Sequence, residues 1–332
     1  MSVANSVVSS RIRLARNIAG LNFPHRGSRK IDGMFAQIQK ILAVADNLFE
    51  YSFILMSDIS VPEKLALVER HLISPALAEN GRTGAVILEK KREISVMLNE
   101  EDHIRAQCIV KGFDLMRAYE RVNAFDDRLI KAVPIAYDRE FGFLTACPTN
   151  VGTGMRASVM LHLPALKMSG LLGGPVGEIV RKSGLTLRGV YGEGSASLGG
   201  MFQLSNTVSL GLTEEEIIEI VQKACEDICI MENTERKRLL SSGNRFLDKI
   251  HRSAGIAKNS ILMSYNEFLD VISDLKLGII LGILEKVDLA EIDAFAQTVG
   301  PFTLSLATGI NDEEGLDLKR AQMLREFSEQ KL

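Results

Sequence analysis

The stretch from Cys147 to Pro164, CPTNVGTGMRASVMLHLP, constrains this chain more than any other. Gly152 and Gly154 stand just before Arg156, and an alternating segment, Ala157 to Leu163, follows. Such alternation marks a strand. Glycine lets backbone approach a partner closely. An arginine just behind offers a rigid donor fork suited to phosphate. The outline is that of a phosphate site, yet it lacks the lysine and Ser/Thr of G-x-x-x-x-G-K-[ST]. Nor does it read as the strand, glycine turn and helix of a βαβ unit.

Further arginines come from the first segment, SVVSSRIRLARNI at 6–18. Strand alternation places Arg11 and Arg13 on one face and Ile12 and Leu14 on the other. This reads either as a solvated edge strand or as a pair of phosphate-facing guanidiniums. NEEDHIR at 99–105 follows an apolar strand. Its acids, Glu100, Glu101 and Asp102, form either a solvated turn or a carboxylate held at a strand end beside Arg105. The spacing is not a standard metal-ligand set. YGEGSASLGG at 191–200 is a glycine-rich loop carrying Glu193, of a length often found in mobile lids.

Between these motifs, 31–49, 62–79 and 112–131 have helical spacing, the last with Asp126 and Asp127 expected on its exposed side. Residues 85–98 read as a hairpin, and 141–147, 185–190 and 201–205 as strands. Thr213 followed by Glu216 is a capping box opening a helix to about Glu232. Cys225 and Cys229 on it are core thiols, since no further metal ligands lie nearby. From about 233 strand signals nearly vanish, and helices are expected at 234–250, 266–285, 288–298 and 313–328. The expected division is therefore a domain over 1–232 and a helical domain over 233–332.

Composition removes several classes of function. The 332 residues carry a net charge of −3 and no tryptophan, which disfavours a broad basic nucleic-acid face or a base-stacking platform. No run approaches the roughly 18 apolar residues of a membrane span. The N-terminus lacks a signal pattern and the four cysteines suit a reducing compartment, so a cytoplasmic protein is expected.

Taken together, SSRIRLARN, NEEDHIR, CPTNVGTGMRASV and LRGVYGEGS resemble, in order and at about the same spacing, the catalytic domain of the phosphagen (guanidino) kinases. ERHLISPALAE, NVGTGMRASVMLHLPAL and YGEGS are similar to the bacterial protein-arginine kinase branch. The resemblance implies an α+β fold: a mainly antiparallel, glutamine-synthetase-like sheet flanked by helices, then a small all-α domain. The chain begins almost at the first arginine motif. The N-terminal helical domain of small-molecule phosphagen kinases is thus expected to be missing, which favours a protein substrate over free arginine.

Residue by residue, the resemblance assigns Ser9, Ser10, Arg11, Ile12, Arg13, Arg105, Arg156 and Arg188 to the phosphates of ATP. Ala157, Ser158, Val159, Met160, Gly189, Val190, Tyr191, Gly192 and Glu193 add further contacts, and His71 falls on the adenine side. Mg²⁺ is held mainly by the ATP phosphates, with no protein metal site. Glu101 and Glu193 match the carboxylates that grip the acceptor guanidinium, and Cys147 the reactive cysteine beside it. Of the two carboxylates, Glu101 is favoured as the base and Glu193 as the second clamp.

The implied activity is ATP-dependent phosphorylation of arginine in proteins such as unfolded chains or a repressor, marking them for Clp-type proteolysis in a stress response. The implied partners are a Clp ATPase, a small zinc-binding activator and a second copy of the chain. A small-molecule guanidino (arginine) kinase and a non-catalytic phosphoarginine-binding adaptor are the alternatives. The branch carries an R-D-x-x-R-A motif for phosphoarginine. Here LDLKRA keeps Asp317, Arg320 and Ala321 but has Leu316 at the first arginine position, so feedback is expected to be weak or absent.

Overall fold

The structure, a computed structural model, describes residues 3–24, 34–80, 83–190, 197–285 and 287–331. In chain order the first half contains β1 (Val7–Arg16), α1 (Met34–Asp46), β2 (Tyr51–Leu55), α2 (Val61–Glu69), α3 (Pro75–Glu79), β3 (Ala85–Glu89), β4 (Ile94–Leu98), β5 (Ile104–Lys111) and α4 (Leu115–Ala132). A two-strand ribbon, β6 (Tyr137–Asp138) and β7 (Gly142–Phe143), precedes β8 (Met155–His162), α5 (Pro164–Met168), α6 (Gly177–Lys182), β9 (Leu185–Gly189) and β10 (Met201–Asn206). Helices complete the chain: α7 (Glu214–Leu240), α8 (Asn244–Asn259), α9 (Tyr265–Ile280), α10 (Leu289–Ala296), α11 (Pro301–Thr308) and α12 (Glu313–Lys331).

Eight strands form one sheet in the order β2-β3-β4-β5-β1-β8-β10-β9. The pairings β2–β3, β3–β4, β4–β5 and β5–β1 are all antiparallel. β1 is thus an interior strand, flanked by β5 and β8, and the solvated-edge reading of Arg11 and Arg13 falls.

By backbone contacts the chain divides into two compact units. One comprises Ser9–Val159 with Ser205–Gln222, and the other Met1–Val8, Met160–Leu204 and Lys223–Leu332. The first, the sheet unit, buries side chains on both sides of its strands: Leu72, Leu77, Val86, Leu88 and Met97 cluster on the side that Arg105 shares by register, and a larger set lies opposite. Ile12, Leu14, Cys108 and Val159 are buried there. Helix α4 packs against β5 through a stripe of Leu115, Ala118, Val122, Phe125 and Leu129. Asp126 lies on that buried stripe rather than on the exposed side. It accepts from Arg16 Nε and Nη2 at 3.1 and 2.6 Å. Helical spacing places a residue on a face but cannot foresee a buried partner supplied by a distant strand.

The single helix expected at 62–79 is two. His71 closes α2 in the left-handed conformation, φ +57°. Its N–H donates to Val68 O and that of Leu72 to Leu67 O, the paired bonds that end a helix. Ser74 then caps a new helix with Pro75 in its first turn. The strand expected at 141–147 is confined to Gly142–Phe143. Beyond it, side chains satisfy the backbone: Asp102 accepts from Ala146 N, and Thr145 Oγ1 donates to Cys147 O.

The second unit is centred on α9, whose buried Phe268, Leu269, Val271, Ile272 and Leu275 meet Ala257, Ile292, Ala321 and Leu324. Helix α7 runs on to Leu240 before Gly243, at φ +98°, breaks the chain ahead of α8, so no helix begins at 234. Helix α11 adds an element to those expected. Two buried arginines staple this unit. Arg236 pairs with Glu232 at 2.9 Å and donates to His162 O, while Glu232 accepts the backbone N–H groups of Ala165 and Leu166 at the start of α5. Arg320 pairs with Asp317 at 2.6 Å and donates to Val299 O and Met263 O. No helix among the described residues is long and apolar enough to cross a membrane.

Candidate active site

The sheet unit's other face is built by alternation. Arg11 and Arg13 project opposite to Ile12 and Leu14. Register pairs Arg13 with Gln107 and Ala15 with Arg105, which puts Arg105 and Gln107 on the same face. Strand β8 adds Arg156 and Ser158, and Arg11 Nε donates to Ser158 Oγ at 3.3 Å. The four arginines Arg11, Arg13, Arg105 and Arg156 are close enough to disturb one another. Burial, and then the charges of Arg105 and Arg156, push Arg11 down to about 10. Burial and the other three arginines lower Arg13 well below its usual value, against a smaller opposing pull from Glu100.

Compensation on this face is sparse. Glu100 forms an ion pair with Arg105 at 2.8 Å and accepts from Ser74 Oγ. Arg11 and Arg13 make no ion pair with any described residue. A crowded, half-buried set of guanidiniums, two of them without an ion pair to a described residue, is matched to a polyanion. His71, half-buried near Arg11, is held down to about 4 by burial and by that arginine's charge.

The acidic turn sorts its three carboxylates. Glu100 is spent on Arg105. Asp102 is buried, accepting at Oδ1 from Asn17 Nδ2 at 2.6 Å and from Ala146 N at 2.7 Å. Glu101 alone is exposed. Partial desolvation, Asp102 and Glu100 raise its pKa, and Arg105 and Arg156 pull against that rise. A solvated acidic turn therefore describes only one of the three. Nothing in the letters NEED separates them, because Asn17 and Ala146 lie far off in sequence. Asn17 also accepts from His103 N at 2.9 Å, tying the end of β1 to the turn.

Cys147 is half-buried, with Sγ 3.1 Å from Thr149 Oγ1. Its loop is fastened further along. Ser209 Oγ donates to Val151 O at 3.0 Å, and Arg16 Nη1 donates to Thr153 O at 2.8 Å, with the Arg16 guanidinium 3.6 Å from the Phe143 ring centre. The glycines have a local reason. A Cβ at Gly152, φ +114°, would lie 2.7 Å from Ser209 O, and one at Gly154, φ +67°, 2.6 Å from Ala15 O. The close approach they permit is to the protein's own backbone.

Other expected site residues are distributed as follows. Ser10 is buried away from the arginine face, donating to Gly112 O and accepting from Asp114 N. Ile12, Ala157 and Val159 are core residues, so any contact they make with a ligand is through backbone. Ser9 is half-buried on the arginine side of β1. Met160 is half-buried near the end of β8. In the second unit Arg188 is exposed on β9, and Val190 N donates to Met201 O. Tyr191, Gly192 and Glu193 lie outside the described residues. No group of three or more His, Cys, Asp or Glu side chains among the described residues could hold a metal.

The model of the ATP:guanido phosphotransferase C-terminal catalytic domain matches residues 34–235, and that of the protein-arginine kinase McsB C-terminal domain matches 243–331. A protein-arginine kinase of Geobacillus sp. (strain WCH70) is 40% identical over 331 residues, covering 96% of this chain and 90% of that protein. One from Shouchella clausii (strain KSM-K16) is 40% identical over 330 residues, covering 98% and 92%. Among solved structures, the duplicated taurocyamine kinase from Schistosoma mansoni, with bound transition-state analogue components, superposes with a TM-score of 0.62 at 26% identity. That match covers 80% of this chain and 38% of the duplicated one. The antiparallel sheet with an arginine-lined face, the two domain matches and the relatives together show that this chain belongs to the ATP:guanido phosphotransferase family, in its protein-arginine kinase branch.

Proposed function

We propose that the protein transfers the γ-phosphoryl group of ATP to the guanidinium of arginine residues in proteins. The observation that supports this most is the gathering of Arg11, Arg13, Arg105 and Arg156 on one face, where Arg11 and Arg13 make no ion pair with a described residue, with Glu101 exposed beside them. Phosphoryl transfer passes through a loose transition state with charge on the peripheral oxygens, so catalysis is chiefly positioning and electrostatics. The four guanidiniums meet that charge without reorganising. The family resemblance also assigns Arg188 and backbone groups of Ser9–Arg13, Ala157–Met160 and Gly189–Glu193 to the nucleotide. His71 lies toward the adenine. Mg²⁺ would travel on the nucleotide's own phosphates and supply counter-charge there.

The acceptor is a guanidinium with a pKa near 13.8 and therefore a poor nucleophile. Glu101 takes the proton from the attacking nitrogen as transfer proceeds, and its raised pKa brings it nearer the working range of a general base. Glu193 holds the same guanidinium in plane by paired N–H bonds. Cys147 tunes the acceptor site electrostatically.

In the cell this activity marks proteins for a Clp-type protease, alongside a small zinc-binding activator, in a cytoplasmic enzyme that dimerises through its helical end. Arg320 is buried and engaged through Nε and Nη1 by Val299 O, Met263 O and Asp317, which supports weak phosphoarginine feedback. Calorimetry is expected to find little binding of free phosphoarginine, and Leu316→Arg to strengthen it. Incubation with ATP and an unfolded protein, then mass spectrometry at neutral pH, tests the main reading. Phosphate on arginine supports it. Product on free arginine alone points to the small-molecule alternative, and no product with either acceptor points to an adaptor.

A further inference from the structure

The carboxylate of Asp102 touches no expected ligand, yet its surroundings connect it to the reacting centre. It is 1% exposed. Its Oδ1 takes two bonds at once, from Asn17 Nδ2 at 2.6 Å and from the backbone N–H of Ala146 at 2.7 Å, while Oδ2 has no partner among the described residues. Ala146 directly precedes Cys147, and Glu101 directly precedes Asp102. One buried oxygen thus joins the segment bearing the exposed carboxylate to the segment bearing the thiol. The end of the arginine-bearing strand β1, through Asn17, forms the third leg. Ser209 fastens the far side of the Cys147 loop at Thr149 O and Val151 O, Arg16 at Thr153 O, and Asn17 Nδ2 also donates to Leu144 O on the near side.

We propose that Asp102 is a positioning residue for the transfer reaction: through Oδ1 it sets the separation between the Glu101 carboxylate and the Cys147 thiol. This rests on the kinase reading above. The role belongs to hydrogen-bond acceptance and not to a net charge, because the working oxygen is Oδ1 and the second oxygen makes no bond. Asn keeps an acceptor in the same place, whereas Ala removes it. Displacing a reacting group by about an ångström costs on the order of a hundredfold in rate, while the phosphate-facing arginines keep their places.

The test compares the full-length wild-type protein with Asp102→Ala and Asp102→Asn, using two readouts. The first is hydrogen exchange of the Ala146 amide, which does not depend on the reaction. The second is steady-state kinetics with ATP and an unfolded protein. Expected for Asp102→Ala are exchange at Ala146 at least roughly tenfold faster, and kcat lower by about tenfold to a hundredfold with KM for ATP little changed. Asp102→Asn, which keeps the acceptor and guards against a variant that fails to fold, is expected to retain slow exchange and most of kcat. Wild-type exchange and kcat in Asp102→Ala would overturn the proposal. So would an Asp102→Asn variant with slow exchange at Ala146 and kcat as low as that of Asp102→Ala, since the charge would then be what matters. An inactive wild type with the same exchange pattern would instead count against the kinase reading.

Discussion

Arg236 and Arg320, in the helical unit, and Arg11 and Arg13, on the sheet face, are all partly or wholly withdrawn from water, yet they are compensated in opposite ways. Arg236 and Arg320 are 0% and 1% exposed, and each has a carboxylate at 2.9 or 2.6 Å plus backbone carbonyls as acceptors. Arg11 has one hydroxyl contact and Arg13 no ion pair among the described residues, and both lie near other guanidiniums. A buried cation whose partners are all supplied internally fastens elements together. One crowded by like charge weakens the fold and is kept where a ligand will supply the missing anion.

The largest expected effect comes from the helical side. Arg236→Ala leaves Glu232 buried without its partner and is expected to cost about 3–5 kcal/mol in denaturant unfolding. Arg13→Ala removes a repelled charge and is expected to leave stability unchanged or higher. Equal losses in the two would break the comparison. In rate the order reverses: Arg13→Ala is expected to lower kcat by about 10²–10³ in a phosphorylation assay, by analogy with loss of a single electrostatic donor.

Glu101 sharpens the contrast between paired and unpaired groups. Its raised pKa places the acid limb of the pH–rate profile above the usual carboxylate range, with the rate falling as pH falls through it. Glu101→Gln is expected to lose that limb along with most of the rate.

The smallest effect concerns His71. Its folded pKa of about 4 lies below the ordinary 6.5, so the unfolded chain takes up a proton first. Its contribution to stability is complete above pH 6.5 and lost as pH falls through about 4. His71→Asn, which tolerates the left-handed backbone, is expected to flatten the stability slope over that interval.

Much of this arrangement is legible in the letters. Alternation alone separates Arg11 and Arg13 from Ile12 and Leu14, and Thr213 with Glu216 forms the expected capping box, with bonds of 2.8 and 3.1 Å. What is not legible depends on partners remote in sequence. Alternation puts Arg16 on the face of Ile12 and Leu14, opposite Arg11 and Arg13, but gives no sign of its buried partner Asp126. Glu100, Glu101 and Asp102 are neighbours with three different environments. The break at His71 is hidden because a helix-ending turn there uses histidine where glycine is usual. Helix α7 likewise carries helical periodicity straight through residue 234, where a new helix is expected.

Thermal unfolding with and without Mg·ATP, in the wild type and in Arg13→Ala, tests most directly the claim that the uncompensated guanidiniums await phosphates. A ligand that binds the folded state raises its unfolding temperature, by more the tighter it binds. The account predicts a clear upward shift for the wild type and little or none for Arg13→Ala, whose unliganded midpoint stays at or above the wild-type value. An equal shift in both proteins would contradict it.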